Sequence, residues 1–292
     1  MLYQIINILF PVLLASSIGY VYGKFQKLDM EIPNKINLDI FIPILIFYAI
    51  SEKLPSITVL GYFSLGAVLV VFGSGIILYP FLKFLDINIR AFLPTMMFNN
   101  SINLGLPLAL FAFGQEAMAM FIALSLVQVI GQFTVAVVMY GGSFKLFDLL
   151  KNPVIIATII ALIFNYFDFH LPQLIISSVD MLSKVAIPLI LFSLGVKLST
   201  VKFAHYKVGI IGAILCPLSG LAMAYLAIEI FEYTALQKDL IILFGVLPPA
   251  VLNAILAEKY NQDSSMVASV VAMGTLSSII YIPIVLYFLL QN

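Results

Sequence analysis

Two long hydrophobic segments of this chain, residues 90–114 and 238–261, are interrupted near their middles by residues that a membrane-spanning helix normally lacks. In hydrocarbon every backbone N–H and C=O group must be satisfied internally, so an interrupted helix is tolerated only where protein buries it or where it lines a polar cavity. A matched pair of interrupted helices is the best sequence indication of the substrate site of a secondary transporter. The interrupting residues are Asn99, Asn100, Ser101, Asn103, Gly105 and Pro107 in the first segment and Pro248, Pro249 and Asn253 in the second.

The composition is typical of a polytopic membrane protein. Hydrophobic residues make up 63% of the 292 residues and charged residues 10%, and the formal net charge is zero. We therefore expect a lipid bilayer as the surroundings of the chain and no nucleic-acid partner. The single cysteine, Cys216, excludes an internal disulfide, and neither His170 nor His205 stands in a metal-ligand pattern, so we predict no metal site and no cofactor.

About ten hydrophobic segments approach the length that a spanning helix needs, roughly 20 mostly apolar residues. The first is interpreted as a retained helix rather than a signal peptide, because no basic n-region precedes it. Short loops join the segments, so neighbouring helices are expected to be antiparallel. The predicted spans are residues 3–23, 36–51, 57–82, 91–114, 116–140, 152–167, 181–198, 206–231, 239–260 and 265–289.

The basic residues divide unevenly between the two sides of such a chain. Cytoplasmic loops of membrane proteins carry an excess of Lys and Arg. The richer side should therefore be cytoplasmic, and both termini should lie on the extracytoplasmic side of the plasma (inner) membrane. The richer side carries Lys24, Lys27, Lys35, Lys83, Arg90, Lys145, Lys151, Lys197, Lys202, Lys207 and Lys259, and the other side carries Lys53, Lys184 and Lys238.

The two halves of the chain repeat one another in outline. The motif Ile-Pro-x-x-x-Phe occurs at Pro43 in the second segment and again at Pro188 in the seventh. Five segments in each half is an odd number, which inverts the second half relative to the first. We predict an all-α polytopic membrane protein with ten transmembrane helices in two inverted five-helix repeats, residues 1–142 and 150–292, and with two broken helices that cross. The alternative is chance similarity between apolar helices.

The two interruptions supply groups that can bind a carboxylate. Asn99 and Asn103 are four residues apart and share one helix face, Gly105 permits close backbone approach, and each proline frees a carbonyl one turn earlier. The N-terminal end of a half-helix carries partial positive charge and free N–H groups, whereas C-terminal ends and amide side chains offer oxygens. All the interrupting residues are therefore candidate substrate-binding residues. The alternative is a pair of proline-kinked packing helices joined by interhelical amide hydrogen bonds.

Five further polar residues are secondary candidates for the site. A charged residue inside a span is a functional candidate by default, but Asp39 and Lys184 also fit solvated helix ends, and Glu258 also fits a surface ion pair. Gln128 and Gln132 are four residues apart in the fifth segment and either line the pocket or pack between helices.

The interruptions also resemble those of a known family. The run NSINLGLPL at residues 100–108, the run LPP at residues 247–249 with AEKY at residues 257–260, and the repeated Ile-Pro-x-x-x-Phe motif are similar to the auxin efflux carrier family over nearly the whole chain. That family includes plant auxin exporters and bacterial carriers of malonate and other organic acids. Plant members have Pro-Asn where this chain has Asn99-Asn100, and the long cytoplasmic loop of many plant members is absent here.

The resemblance implies a bacterial or archaeal carrier with a fold similar to that of the bile-acid symporters. Predicted helices 1, 2, 6 and 7 would form a scaffold, and helices 3–5 and 8–10 would form a moving transport domain that contains the two broken helices. The family also implies a homodimer built through the scaffold and no catalytic residues.

Together these features predict a secondary transporter or facilitator that moves an organic anion, such as malonate or an auxin-like acid, by elevator-type alternating access. Asn100 and Asn103, with the neighbouring backbone, would bind the carboxylate. The alternatives are a sodium-coupled symporter of the same fold, an intramembrane enzyme and a channel. The chain has no HExxH or GxSxG motif and no paired catalytic aspartates in its spans, which disfavours an enzyme.

Overall fold

The fold consists of α-helices joined by short loops. A computed structural model describes residues 2–26, 28–54, 56, 58–85, 87–200 and 204–291, and that part of the chain contains no β-strand. The helices are α1 (Leu2–Gln26), α2 (Glu31–Lys53), α3 (Thr58–Phe84), α4 (Ile89–Met97), α5 (Ser101–Met139), α6 (Leu146–Leu150), α7 (Pro153–Tyr166), α8 (Gln173–Ser199), α9 (Tyr206–Ile230), α10 (Ala235–Gly245), α11 (Leu252–Lys259) and α12 (Ser264–Leu289).

Most of these helices are long and apolar enough to cross a bilayer. Within the described ranges seven of them meet that criterion, namely α1, α2, α3, α5, α8, α9 and α12, and α7 is an apolar helix of 14 residues. This confirms the prediction of an all-helical protein with several membrane spans. Helices α4, α10 and α11 have only 9, 11 and 8 residues, because each is one part of an interrupted segment.

The helix boundaries follow local sequence signals except at α8. Hydropathy predicts a start at residue 181, whereas α8 begins at Gln173, directly after Pro172. Hydropathy identifies only the apolar part of a helix, and the polar residues in QLIISSVD are compatible with its first turns. Elsewhere a proline opens α7 at Pro153, and a capping box opens α10, in which the side chains of Thr234 and Gln237 each accept the backbone N–H of the other.

The long helix α5 bends at a single non-helical residue, Gly114, with φ of 89° and ψ of −173°. Only glycine adopts this part of conformational space without strain. The bend divides α5 into residues 101–113 and 115–139. The predicted spans 91–114 and 116–140 meet at this point, which explains why one continuous helix covers parts of two predicted segments.

Two groups of helices stand out in the packing. Helix α8 lies against α1 and α2, and α2 also packs on α7. Helix α9 lies against α3 and α12, and α3 also contacts α4 and α5. Small residues permit the closest of these approaches: Gly195 of α8 rests on the carbonyl of Ser16, and Gly19 of α1 rests on the carbonyl of Phe192. A side chain at either glycine would collide with backbone.

Candidate functional site

The first interruption lies between α4 and α5. Helix α4 ends at Met97, and α5 begins at Ser101 with one π-helical turn. The carbonyl of Asn100 accepts the N–H groups of both Leu104 and Gly105 at 3.1 Å, which is the spacing of that wide turn. The first N–H groups of α5 therefore lie at the interruption, where they have no intrahelical partner.

The second interruption lies between α10 and α11. Helix α10 ends at Gly245, and α11 begins only at Leu252. Pro248 has no N–H and so cannot donate to the carbonyl of Phe244 four residues earlier. Within its own segment that carbonyl receives no N–H from four residues later, and it is reached only by the nearby N–H groups of Val246 and of Leu247, the latter at a long 3.5 Å. The proline thus leaves a buried backbone acceptor available to another donor.

The two interruptions pair with each other through their backbones. Asn99 and Pro249 form an antiparallel β-bridge. The N–H of Asn100 donates to the carbonyl of Pro248 at 2.8 Å, and the N–H of Ala250 donates to the carbonyl of Phe98 at 2.9 Å. All six of these residues are buried. The two broken helices therefore meet at a crossing in which the non-helical backbone of each satisfies that of the other.

The side chain of Asn99 completes this crossing. Its Nδ2 donates to the freed carbonyl of Phe244 at 2.6 Å, across 145 positions of the chain. Because that partner is a carbonyl, the orientation of the amide is fixed, and its Oδ1 is the atom that remains unpaired. An amide of the first interruption thus replaces the helical hydrogen bond that Pro248 removes from the second.

A chain of amides continues from the crossing into α5 and α11. Gln128 Nε2 donates to the carbonyl of Asn99 at 2.7 Å and to Gln132 Oε1 at 3.2 Å. Gln132 Nε2 donates to Asn253 Oδ1 at 2.8 Å, and Asn253 Nδ2 donates to the carbonyl of Phe98 at 2.9 Å. Both glutamines therefore pack between helices as well as facing the site. The network ties the middle of α5 to both interruptions.

Several polar atoms around the crossing remain without a hydrogen-bond partner. They are Asn99 Oδ1, Asn100 Nδ2, Ser101 Oγ and Gln128 Oε1, and none of them is reached by solvent. A buried polar atom without a partner costs about 1–3 kcal/mol. Such atoms are uncommon in native proteins, so these four are candidates to bind a ligand or an ordered water.

A cavity of about 320 Å³ adjoins the crossing. Helices α2, α5, α7, α8 and α11 and the non-helical segments before α5 and α11 form its wall. Two of the residues that line it, Asp39 and Lys197, carry charge. The polar residues of the wall are Asn34, Asn37, Asp39, Asn99, Asn100, Asn103, Gln128, Gln132, Asn152, Ser193 and Lys197. The rest of the wall is apolar, so the cavity suits a small molecule with a few polar groups.

The predicted site residues fall into three groups. Some line the cavity: Asn99, Asn100, Asn103, Gln128, Gln132 and Asp39. Others lie behind the wall as buried parts of the crossing and its helices: Ser101, Gly105, Pro107, Pro248, Pro249 and Asn253. The remaining two lie elsewhere: Lys184 is ion-paired with Asp180 at 2.6 Å, and Glu258 is exposed on α11.

Gly105 illustrates a packing role behind the wall. A Cβ at this position would come within 2.6 Å of the Phe121 ring and 2.7 Å of a methyl group of Leu247. Glycine therefore lets α5 approach both the second interruption and its own later turns.

Two of the wall residues that the sequence analysis did not name as site candidates are Asn37 and Lys197. Asn37 is only 2% exposed; its Nδ2 donates to the carbonyl of Ala186 at 3.1 Å, and its Oδ1 is unpaired. Lys197 entered the sequence analysis only as one of the basic residues that orient the chain. Asn37 carried one usable signal, its position three residues after Asn34 at the head of an apolar run.

No cluster of three or more His, Cys, Asp or Glu side chains suited to a metal ion occurs in the described ranges. Lys27 and Lys202, two of the basic residues used to orient the chain, lie outside the described residues.

Comparison with known proteins identifies the class of this molecule. Residues 142–286 match the family described as membrane transport protein. The chain is also 28% identical to an uncharacterized transporter of Methanocaldococcus jannaschii over 296 residues, which covers 94% of this chain and 96% of that protein. The chain therefore resembles the auxin efflux carrier family of membrane transport proteins, as its motifs predicted. Its seven candidate spans within the described ranges and its similarity to membrane transport proteins make it a multi-span membrane protein, as the interrupted segments and the composition predicted.

Proposed function

We propose that this protein moves an organic anion across the plasma (inner) membrane by alternating access, and that it is not an enzyme. The observation that carries the proposal is the crossing of two broken helices at the wall of a cavity of about 320 Å³. Broken helices in a membrane are tolerated where they line such a cavity, and in secondary transporters they form the substrate site.

The groups at the first interruption suit a carboxylate such as that of malonate or an auxin-like acid. The side chain of Asn100 lines the cavity, and its Nδ2 has no hydrogen-bond partner. The amide of Asn103 also lines the cavity. The N-terminal end of α5 begins between these two residues, and a helix N-terminus presents free N–H groups and a partial positive charge to an anion. The anion would be bound by neutral donors at this end of the site.

Two inverted five-helix repeats provide the moving parts in this proposal. The group formed by α1, α2, α7 and α8 would be the scaffold, and the group that contains both broken helices would slide against it as an elevator. The cavity lies between the two groups, because α2, α7 and α8 line one side and the crossing lines the other. We further propose a homodimer built through the scaffold; light scattering in detergent that gives the mass of a single chain would contradict it.

Some of the residues that line the cavity lie next to the most basic loops, which are on one side of the protein. Asn34, Asn152 and Lys197 stand at the ends of α2, α7 and α8 that adjoin these loops. If the basic side is cytoplasmic, both termini are extracytoplasmic and this conformation is the one open to the cytoplasm. Cysteines placed near the N-terminus and near Gln291, in a Cys216-free background, should react with an impermeant thiol reagent in intact cells. Labelling only after permeabilisation would reverse the orientation.

Transport itself is tested in proteoliposomes. Moving one charge through the membrane field is worth about 2.3 kcal/mol per 100 mV. An inside-negative potential should therefore accelerate efflux of a radiolabelled organic acid without sodium and without a pH gradient. Liposomes that contain the Asn100→Ala variant are the matched control. Equal flux of the acid in empty and in protein-containing liposomes would contradict the proposed function.

A sodium-coupled symporter is the second candidate, because the unpaired oxygens of Asn99 and Gln128 are also suitable cation ligands. It predicts uptake that depends on a sodium gradient and is indifferent to potential alone. A channel predicts flux that does not saturate, and an intramembrane enzyme predicts chemical conversion of the acid during the assay.

A further inference from the structure

Lys197 occupies an unusual place for a lysine of a membrane helix. It lies in the last turn of α8 and lines the cavity together with Ile190, Ser193 and Leu194. These positions differ by three, four and seven residues, so they form one stripe on one face of the helix. The stripe runs along the cavity wall for about 10 Å, at 1.5 Å per residue. The lysine thus belongs to the same wall as the crossing.

The other lysine of α8, Lys184, is neutralised by an ion pair. Lys184 Nζ is 2.6 Å from Asp180 Oδ2, one turn earlier, in an ion pair that lies away from the cavity. Lys197 has no ion pair and no hydrogen bond to another described residue. Lys197, the lysine of α8 that lines the cavity, therefore has no ion-pair partner among the described residues.

One acidic side chain, Glu258, acts on Lys197, and a second, Asp39, lines the same cavity. Asp39 on α2 also lines the cavity, and Glu258 on α11 acts on Lys197 electrostatically without being in ion-pair contact. Glu258 follows the second interruption, so it belongs to the group of helices that carries the crossing. An anion that enters between the two groups would meet Lys197 in competition with Glu258.

We propose that Lys197 is the fixed counter-charge for the transported anion and a determinant of selectivity for charged over neutral ligands. This rests on the proposed function. The amides at the crossing are neutral, and most of the remaining wall is apolar, so a carboxylate that left water for this cavity would lose much of its solvation. A lysine that faces the cavity without a partner of its own restores part of that energy through a charge-assisted hydrogen bond or a close ion pair.

The test compares each acid with its neutral amide. The probes are malonate with malonamide and indoleacetate with indoleacetamide, and the measurement is equilibrium binding to the purified full-length protein in lipid nanodiscs. The variants are Lys197→Met, which removes the charge, and Lys197→Arg, which keeps it. Lys184→Met is the matched control, because it removes the paired lysine of the same helix.

For the wild-type protein, the Lys184→Met variant and the Lys197→Arg variant, at least one acid should bind about ten- to hundredfold more tightly than its amide. In Lys197→Met this preference should shrink to a few-fold, while binding of the amide changes little. Glu258→Gln should shift acid binding in the opposite direction, towards tighter affinity, because it removes the competing carboxylate.

The outcomes separate the two proposals. If no acid binds to the wild-type protein, the proposed function fails. If an acid binds equally well to the wild-type and Lys197→Met proteins, the assignment of Lys197 is wrong while the proposed function stands. If gel filtration shows that Lys197→Met does not fold, Lys197→Gln replaces it in the same comparison. In either case Lys197→Arg must keep the preference for the acid over the amide, and Glu258→Gln must bind the acid more tightly.

Discussion

The two interruptions occupy corresponding places in the two halves of the chain, but they present different chemistry to the cavity. From the first, the polar side chains of Asn99, Asn100 and Asn103 line the wall. From the second, only apolar residues of the segment 250–255 do so, while Asn253 is fully buried behind them.

The difference follows from how each interruption is made. The first has no proline among its non-helical residues, so its backbone can pair and its amide side chains remain available. The second contains Pro248 and Pro249, which remove donors and leave an acceptor on Phe244. One interruption therefore supplies the recognition groups, and the other supplies the carbonyl that positions them. Two interruptions that look equivalent in sequence therefore contribute differently to the cavity.

The largest effect should come from removing the buried amide of the second interruption. Asn253→Leu is similar in volume but leaves Gln132 Nε2 without its acceptor, at about 1–3 kcal/mol for a buried group, whereas the carbonyl of Phe98 keeps the N–H of Ala250. Thermal unfolding in detergent should show a clear loss of stability. Asn103→Leu is the control, because its amide lines the cavity without a hydrogen bond, and its effect should stay within about 0.5 kcal/mol. Equal losses of stability in the two variants would contradict the proposed difference between the two interruptions.

The next effect concerns recognition at the first interruption. Asn100→Ala should leave the protein folded but weaken binding of the organic acid about ten- to hundredfold, because a hydrogen bond to a charged acceptor contributes about 1.5–3 kcal/mol. Asn103→Ala should weaken binding less. Equilibrium binding and gel filtration on the same samples separate affinity from folding. Unchanged affinity in both variants would make these asparagines packing residues.

The smallest effect is the coupling between the interruptions. Asn99→Ala leaves the Phe244 carbonyl without its strong donor. In a Pro248→Ala background an N–H returns at position 248 and can bond to that carbonyl. The cost of Asn99→Ala should then fall by about 0.5–1.5 kcal/mol in a double-mutant cycle of unfolding free energies. Strictly additive changes would mean that Asn99 does not compensate for the proline.

Local sequence patterns predicted the positions of both interruptions and the polar residues of the first. They did not separate Asn100, which lines the cavity, from Asn253, which lies behind it. Both are single amides near a helix break, and the face that a side chain presents depends on the backbone pairing of the crossing. The two alternatives for Gln128 and Gln132 do not exclude each other, because these amides bond to the crossing and to α11 and also line the cavity.

Asn37 and Lys197, which the sequence analysis did not name as site residues, show the same limit of local patterns on the opposite side of the cavity. Asn37 looks like the polar start of an apolar helix, and Lys197 looks like a loop charge at the end of one. Only the packing of α2 and α8 against the crossing turns these two helix ends into cavity wall. The spacing of residues along one helix does not determine which other helix a side chain will contact.

The sequence by itself determined that this chain is an all-helical membrane protein with two interrupted segments, because hydrophobic length, proline and glycine act within a few residues of where they stand. The tertiary structure alone decided what the interruptions do. The bond from Asn99 to Phe244 spans 145 positions, and the bond from Gln132 to Asn253 spans 121. Contacts of that range depend on how whole helices pack, and that packing sets which polar groups are satisfied and which remain free for a ligand.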